Sequence, residues 1–192
     1  MGAFEQACRV EAEGVDDLVR FLGQQGDDGR FVLTNKGRLA TDLQLAYGDA
    51  FVSRDGNFYA CEFKVERRFT GNFFIETWSN RSRFRRGWLD HLDADLLLYY
   101  FTDSCELFVI PFPRLKRWAF GGDSPNERLH DYRHVCQHKY EQKNDTWGRL
   151  VPVAVIHASD VGFRYWRKDA SGEFVREDYV PSFRSGQGRL FA

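Results

Sequence analysis

Val15, Leu18, Val19 and Leu22 recur at i, i+3, i+4 and i+7. That spacing lines one face of an α-helix, and it predicts a helix ending near Gly23 or Gly26. Beyond it the pattern shifts to short apolar runs. Phe31–Thr34, Leu43–Tyr47, Ala50–Ser53 and Phe58–Val65 read as extended segments. Between the last two lies Arg54-Asp55-Gly56-Asn57, whose Asp-Gly pair favours a two-residue hairpin turn. Thr70-Gly71-Asn72 predicts a second hairpin that pairs Phe63–Phe69 with Phe73–Trp78. Trp88–Leu92 reads as a short helix, Leu96–Phe101 and Leu107–Pro111 as two core strands around Asp103-Ser104, and Pro113–Phe120 as a short helix closed by Gly121-Gly122.

Ser124-Pro125-Asn126-Glu127 has the order of a capped helix start, with Ser at the cap, Pro in the first turn and Glu completing the box. It predicts a helix running to about Lys143. Val151–His157 reads as a buried strand, and Phe163–Arg167 with Phe174–Arg176 as a hairpin around Ser171-Gly172. The tail SFRSGQGRLFA is expected to be loosely held. No repeat or low-complexity linker divides the 192 residues, a length expected of one domain. The alternation of helices and strands predicts a single mixed α/β domain over 1–192.

Composition narrows the class. With 43% apolar and 16% aromatic residues, the chain can build a substantial core, which excludes disordered, collagen-like and coiled-coil proteins. The longest apolar run, Leu96 to Phe101, is far short of the ~18–20 residues a spanning helix needs. No membrane partner is therefore expected. The stretch MGAFEQACRVEAEG carries acids where a secretory signal needs apolar residues. Gly2 lacks the Ser or Thr at position 6 that myristoylation requires. Cys8, Cys61, Cys105 and Cys136 are scattered and form no CxxC pair, as reduced thiols would be. The expected location is cytoplasmic, in the host cytoplasm if the chain is phage-encoded.

The 27 bases and 28 acids leave a net charge of −1, which argues against a purely electrostatic nucleic-acid coat. Their distribution is uneven. Residues 1–62 carry 11 acids and 6 bases, whereas residues 63–86 carry 7 bases (Lys64, Arg67, Arg68, Arg81, Arg83, Arg85, Arg86) against Glu66 and Glu76. Arg114, Lys116 and Arg117 form a smaller cluster. Such clusters are solvated surface or phosphate-binding surface, depending on the chemistry beside them.

That chemistry is Asp49 followed by Glu62-Phe63-Lys64. Residues i and i+2 of a strand share a face, so Glu62 and Lys64 emerge together. The Asp-Gly hairpin returns the chain so that Asp49 can stand beside Glu62. Two carboxylates in one opening suit Mg²⁺, a hard cation with oxygen ligands, and a lysine can stabilise charge on a phosphate or orient a water. The bland alternative is a salt-bridge ladder on a surface hairpin. Asp42 is a second candidate for the first carboxylate, and Glu66 shares the Glu62/Lys64 face.

The segment GDAFVSRDGNFYACEFKVE resembles the catalytic hairpin of the PD-(D/E)xK nuclease superfamily, with Asp on the second strand and ExK on the third. DADLLLYYFTDSCELFVIPF resembles the strand pair that follows, so the resemblance covers about residues 10–120. Gly48 stands where the named motif has proline, and the segment after the motif reads as a hairpin. TGNFFIETWSN is similar to phage and bacterial members of the group, which implies Glu76 as a further carboxylate near the metal. The resemblance implies a restriction-endonuclease-like core, a mixed central sheet flanked by helices, with an added hairpin and a C-terminal helix and strand extension over 121–192. It implies hydrolysis of DNA phosphodiester bonds with Mg²⁺, or Mn²⁺ in its place. Asp49 and Glu62 would be metal ligands, Lys64 the assisting cation, and Arg67, Arg68, Arg81, Arg83, Arg85 and Arg86 the backbone contacts. RNA stays open as a substrate, and a homodimer is compatible but not derivable. The competing reading is an inactive nucleic-acid- or protein-binding module on the same fold.

His130, His134 and His138 fall on one face of the expected helix, with Leu129, Tyr132, Cys136 and Tyr140 on another. Because Cys136 is turned away from the histidines, a solvated face is favoured over zinc. No Gly-rich phosphate loop, GxSxG or dinucleotide fingerprint is present.

Overall fold

The apolar stripe lies on α1 (Ala3–Gln25), where Leu18, Phe21 and Leu22 are buried. A Cβ on Gly14 would come within 2.3 Å of a Val65 methyl. Glycine mid-helix, unfavourable by about 1 kcal/mol relative to alanine, is thus explained by the close approach of α1 to the sheet. In this computed structural model, residues 3–25, 31–33, 38–121, 128–139 and 144–181 are described. The tail expected to be loose lies outside them.

Among the described residues, the sheet beneath α1 has seven strands: β1 (Phe31–Leu33), β2 (Ala50–Arg54), β3 (Asn57–Glu66), β6 (Leu96–Phe101), β7 (Glu106–Pro111), β10 (Arg164–Lys168) and β11 (Phe174–Glu177), adjacent in that order. Strands β3 and β6 run parallel, with Cys61 opposite Leu96 and Glu66 opposite Phe101, and every other pair is antiparallel. The Asp-Gly hairpin forms as expected. Arg54 pairs with Asn57 around Asp55 and Gly56, both at positive φ, as a primed turn requires. The last two strands of this sheet come from residues beyond 120.

A second, antiparallel sheet has the order β5 (Arg85–Arg86), β4 (Asn72–Asn80), β9 (Asn144–Pro152) and β8 (His134–Lys139). It covers the face of the first sheet opposite α1, together with α3 (Trp88–His91), α4 (Phe112–Ala119) and α5 (Val153–Ala158). One core holds Leu98, Tyr100, Cys61 and Phe63 under α1, and the other holds Leu97, Tyr99, Phe101 and Phe108 against Phe73, Ile75 and Val151. The fold is mixed α/β.

Four expectations are corrected. Leu43–Tyr47 is the end of α2 (Arg38–Tyr47), not a strand. Its Leu-Gln-Leu alternation mimics a strand, but Arg, Leu, Ala and Gln favour helix. Gly48, at φ +110°, closes it by donating from its N–H to the Gln44 carbonyl at 3.0 Å. The second hairpin does not form. Gly71 does turn the chain (φ +81°), yet β4 pairs with β5 and β9, because Phe73 and Ile75 are fully buried only in the second layer. In place of the helix expected over 124–143, Arg128–Asp131 is a single 3-10 turn and 134–139 is β8. Its cap, 124–127, lies outside the described residues. A six-residue ladder with β9 outweighs the modest helix propensity of His, Val and Cys. Finally, β9 ends at Pro152, and Val153 and Ile156 are buried one helical turn apart on α5.

Phe73 is fully buried, with ring centroids 4.9 Å from Tyr99 and 5.2 Å from Phe108. Phe73→Ala should therefore cost about 3–5 kcal/mol in urea unfolding. Phe58→Ala, at a side chain 74% exposed, should change stability by less than about 0.5 kcal/mol.

Candidate active site

Asp49 is the second of the two residues, Gly48 and Asp49, that join α2 to β2. Gly48 makes that connection possible, since a Cβ there would lie 2.7 Å from the Cys61 carbonyl oxygen. The Asp49 N–H donates to that same oxygen at 2.8 Å. The Asp49 carboxylate is held from two sides: Phe63 N–H donates to Oδ2 at 2.8 Å, and Gln44 Nε2 to Oδ1 at 2.6 Å. Gln44 has no role in the sequence reading. Only as part of a helix does it stand one turn before Asp49.

Along β3 the alternation sends Cys61 and Phe63 toward α1 and turns Glu62, Lys64 and Glu66 toward the second layer. Ala50 pairs with Cys61, so Glu62 comes level with Asp49 and the two carboxyls are in hydrogen-bond contact. Lys64 Nζ lies 2.9 Å from Glu62 Oε1 and 5.3 Å from the Trp88 ring centre. The structure thus brings Asp49, Glu62 and Lys64 together.

Glu62 is buried, and its pKa is pushed up to about 7. Burial is the main cause; the Lys64 ammonium pulls it down, and the Asp49 carboxylate pushes it further up. For Lys64, burial acts to lower the pKa, but Glu62, Glu76 and Asp49 outweigh it and the net shift is upward. Lys64 is therefore a fixed cation at neutral pH.

Glu76 reaches this centre from β4, although β4 does not pair with β3, and its charge helps hold the Lys64 proton. Glu66 is engaged differently. The Tyr99 hydroxyl donates to it and accepts from Phe74 N–H at 2.9 Å, which ties the two sheets together. Burial raises the Glu66 pKa, against the Tyr99 hydrogen bond and Lys64. Asp42 is exposed on α2. Among the described residues no group of three or more His, Cys, Asp and Glu side chains is arranged to hold a metal. An ion here would have Asp49 and Glu62 as its carboxylates, with Glu76 acting through Lys64.

The arginines divide into two places. Arg67 and Arg68 lie beyond Glu66, with their Nε atoms 3.3 and 4.0 Å from the Asp103 carboxylate. Arg81 and Arg83 are in the 3-10 turn after β4, Arg85 and Arg86 form β5, and all four are exposed. Arg86 precedes Trp88, whose ring faces Lys64, by two residues, so the β5 end of this second group leads toward the site. The histidines do not form a helical face. His130 is in the turn, and His134 and His138 are on β8. His134 Nε2 is 3.2 Å from the Thr77 hydroxyl.

A buried carboxyl that titrates near 7 makes stability depend on pH. Unfolded Glu62 loses its proton near 4.5 and folded Glu62 near 7. Between those values the folded state binds the extra proton, so its stability falls as pH rises, by up to about 3 kcal/mol. Glu62→Gln keeps the neutral shape, while Asp49, Glu66 and Glu76 still surround Lys64. In chelator it should be more stable than the native chain by about 1–3 kcal/mol at pH 8, and the difference should vanish near pH 4.5. Urea titrations at the two pH values measure this. Compared with protein-family models, curated proteins and solved structures, the chain matches none.

Proposed function

We propose that this chain is a Mg²⁺-dependent nuclease of the PD-(D/E)xK type, with a restriction-endonuclease-like core, that hydrolyses DNA phosphodiester bonds. The observation that carries the reading is the meeting of Asp49, Glu62 and Lys64 on one face of the β2–β3 hairpin. Its setting agrees with the resemblance. Asp49 precedes the second strand of the sheet, Glu62 and Lys64 are on the third, and the parallel β6 follows.

The donor set suits a hard cation. Mg²⁺ is commonly held by one or two carboxylates, with water and substrate phosphate completing the shell. Asp49 and Glu62 supply two carboxylates pressed together, and the raised Glu62 pKa expresses first its burial and then, to a smaller extent, their repulsion. A divalent ion would relieve both. When bound, it would supply Lewis-acid polarisation of the phosphate and a water acidic enough to attack at neutral pH.

The protein groups then have separable tasks. Gln44 and Phe63 N–H orient the Asp49 carboxylate from opposite sides. Lys64, held charged by its carboxylate neighbours, offsets negative charge developing on the phosphate oxygens and is unsuited to accept a proton. Trp88 covers the Lys64 ammonium and limits its hydration. The four arginines of 81–86 supply phosphate contacts near this end of the site.

The test is nicking of supercoiled plasmid with Mg²⁺ or Mn²⁺, with and without chelator. Asp49→Asn, Glu62→Gln and Lys64→Met should each lower the rate by more than about 100-fold, with unchanged circular dichroism. Chelator should abolish activity in the native chain. If Glu62→Gln nicks as fast as the native chain, the site is not catalytic, and the inactive binding module becomes the better reading.

A further inference from the structure

The outer end of the second sheet carries a surface that the metal-site chemistry does not use. Trp78, Arg81, Phe84, Asp145 and Trp147 line an open cleft of about 510 Å³ there. The Arg81 guanidinium lies 4.8 Å from the Trp147 ring centre, and that of Arg86 lies 4.4 Å from Trp78. Phe84 stands beside them, 84% exposed.

Phe84 is held there against its preferences. Its φ of +53° is the left-handed region, disfavoured for a bulky residue by about 1–2 kcal/mol. The buried Asn80 fixes the turn from below, its Oδ1 accepting from Arg83 N–H at 3.1 Å and from the Ser82 hydroxyl at 3.0 Å. A large apolar ring is thus presented to water by a strained and anchored backbone. Such strain persists where the surroundings impose it, and it clusters at ligand sites.

The charge of the surface selects the occupant. Arg81, Arg83, Arg85 and Arg86 are exposed, and among the described residues the carboxylates in contact with this surface are Asp145, which accepts from Trp147 Nε1 at 2.6 Å, and Asp90, 3.8 Å from Arg86 Nε. Planar rings interleaved with guanidinium planes, in an excess of positive charge, match a polyanion that offers flat π-faces. Bases inside a duplex present edges, not faces. Unpaired bases present both faces, and stacking on aromatic rings or guanidinium planes is sequence-tolerant.

We propose that this cleft binds unpaired nucleotides, the bases stacking on Phe84 and on the Arg–Trp pairs while the arginines contact the phosphates. The surface leads toward the Lys64 end of the site. Arg86 pairs with Trp78 on β4 and precedes Trp88 by two residues, and Trp78 follows Glu76 by two. The polymer substrate therefore includes a single-stranded stretch that runs from the cleft toward Asp49 and Glu62. This last step rests on the nuclease reading; the binding itself does not.

The test is therefore made in chelator, where no cleavage occurs. Fluorescence anisotropy is measured with a labelled oligothymidylate of about 12 nucleotides, a length within the range of known single-strand sites, and with a duplex of equal length. The native chain should bind the single strand at least about 10-fold more tightly than the duplex and show quenched tryptophan emission. Phe84→Gly relieves the left-handed strain and should fold normally. It should weaken single-strand binding by about 5- to 100-fold and duplex binding by less than about twofold. Arg81→Ala should weaken both and flatten the salt dependence. Equal affinity of the native chain for the two probes, or unaltered single-strand binding by Phe84→Gly, overturns the proposal. Loss of the nuclease reading would look different: single-strand binding intact, with no nicking in Mg²⁺.

Discussion

Strand β3 lies in the middle of the fold, with β2 and β6 on its flanks and a packed layer over each face. Its side chains must therefore alternate between two interiors, although one of its faces is ionic. Cys61 and Phe63 enter the core under α1 without difficulty. Glu62, Lys64 and Glu66 face the second sheet, where an unpaired charge would be costly by several kcal/mol. What surrounds them follows from that constraint. Lys64 is placed among Glu62, Glu76 and Asp49, and Glu66 is capped by Tyr99.

Burial raises the pKa of both acids, but the contacts that oppose it differ. The Tyr99 hydroxyl, bonded at once to Glu66 and to Phe74 N–H, converts a buried acid into a tie between the two sheets. Glu62 has Lys64 on one side and Asp49 on the other, and burial, aided by Asp49 and only partly offset by Lys64, holds its pKa near 7. A fold optimised for stability alone would put a neutral side chain at 62. An acid kept there is what the proposed cation site would need, and perturbed carboxyls cluster at functional sites.

The second sheet serves both ends of this arrangement. Its apolar face, through Phe73, Ile75 and Val151, closes the core over Tyr99 and Phe101, and its bulged strand β4 delivers Glu76 to Lys64. Past the bulge, β4 carries Trp78 and leads into the turn that displays Phe84 and the arginines. One strand thus connects the proposed chemistry to the proposed grip on the polymer. The ion pairs of Arg67 and Arg68 with Asp103 lie just past the C-terminal end of β3.

The sequence by itself determined what local chemistry controls. The Asp-Gly turn set the β2–β3 register, that register put Asp49 level with Glu62, and strand alternation put Lys64 beside Glu62. The α1 stripe and the strands at Leu96–Phe101 and Leu107–Pro111 were legible because their periodicity is strong. Only the tertiary structure decided where β4 went. A Gly turn permits a hairpin, but the burial of Phe73 and Ile75 depends on which layer offers an apolar surface. For the same reason, 134–139 became a strand against β9, and Glu76 came to Lys64 across layers instead of along a ladder. Gln44 and Trp88 were invisible as site residues, and the exposure of Phe84 could not be told from that of the buried phenylalanines around it, because these features arise from contacts between segments. Propensity and spacing act over a few residues, whereas the environment of a buried charge is set by whatever the rest of the chain packs against it.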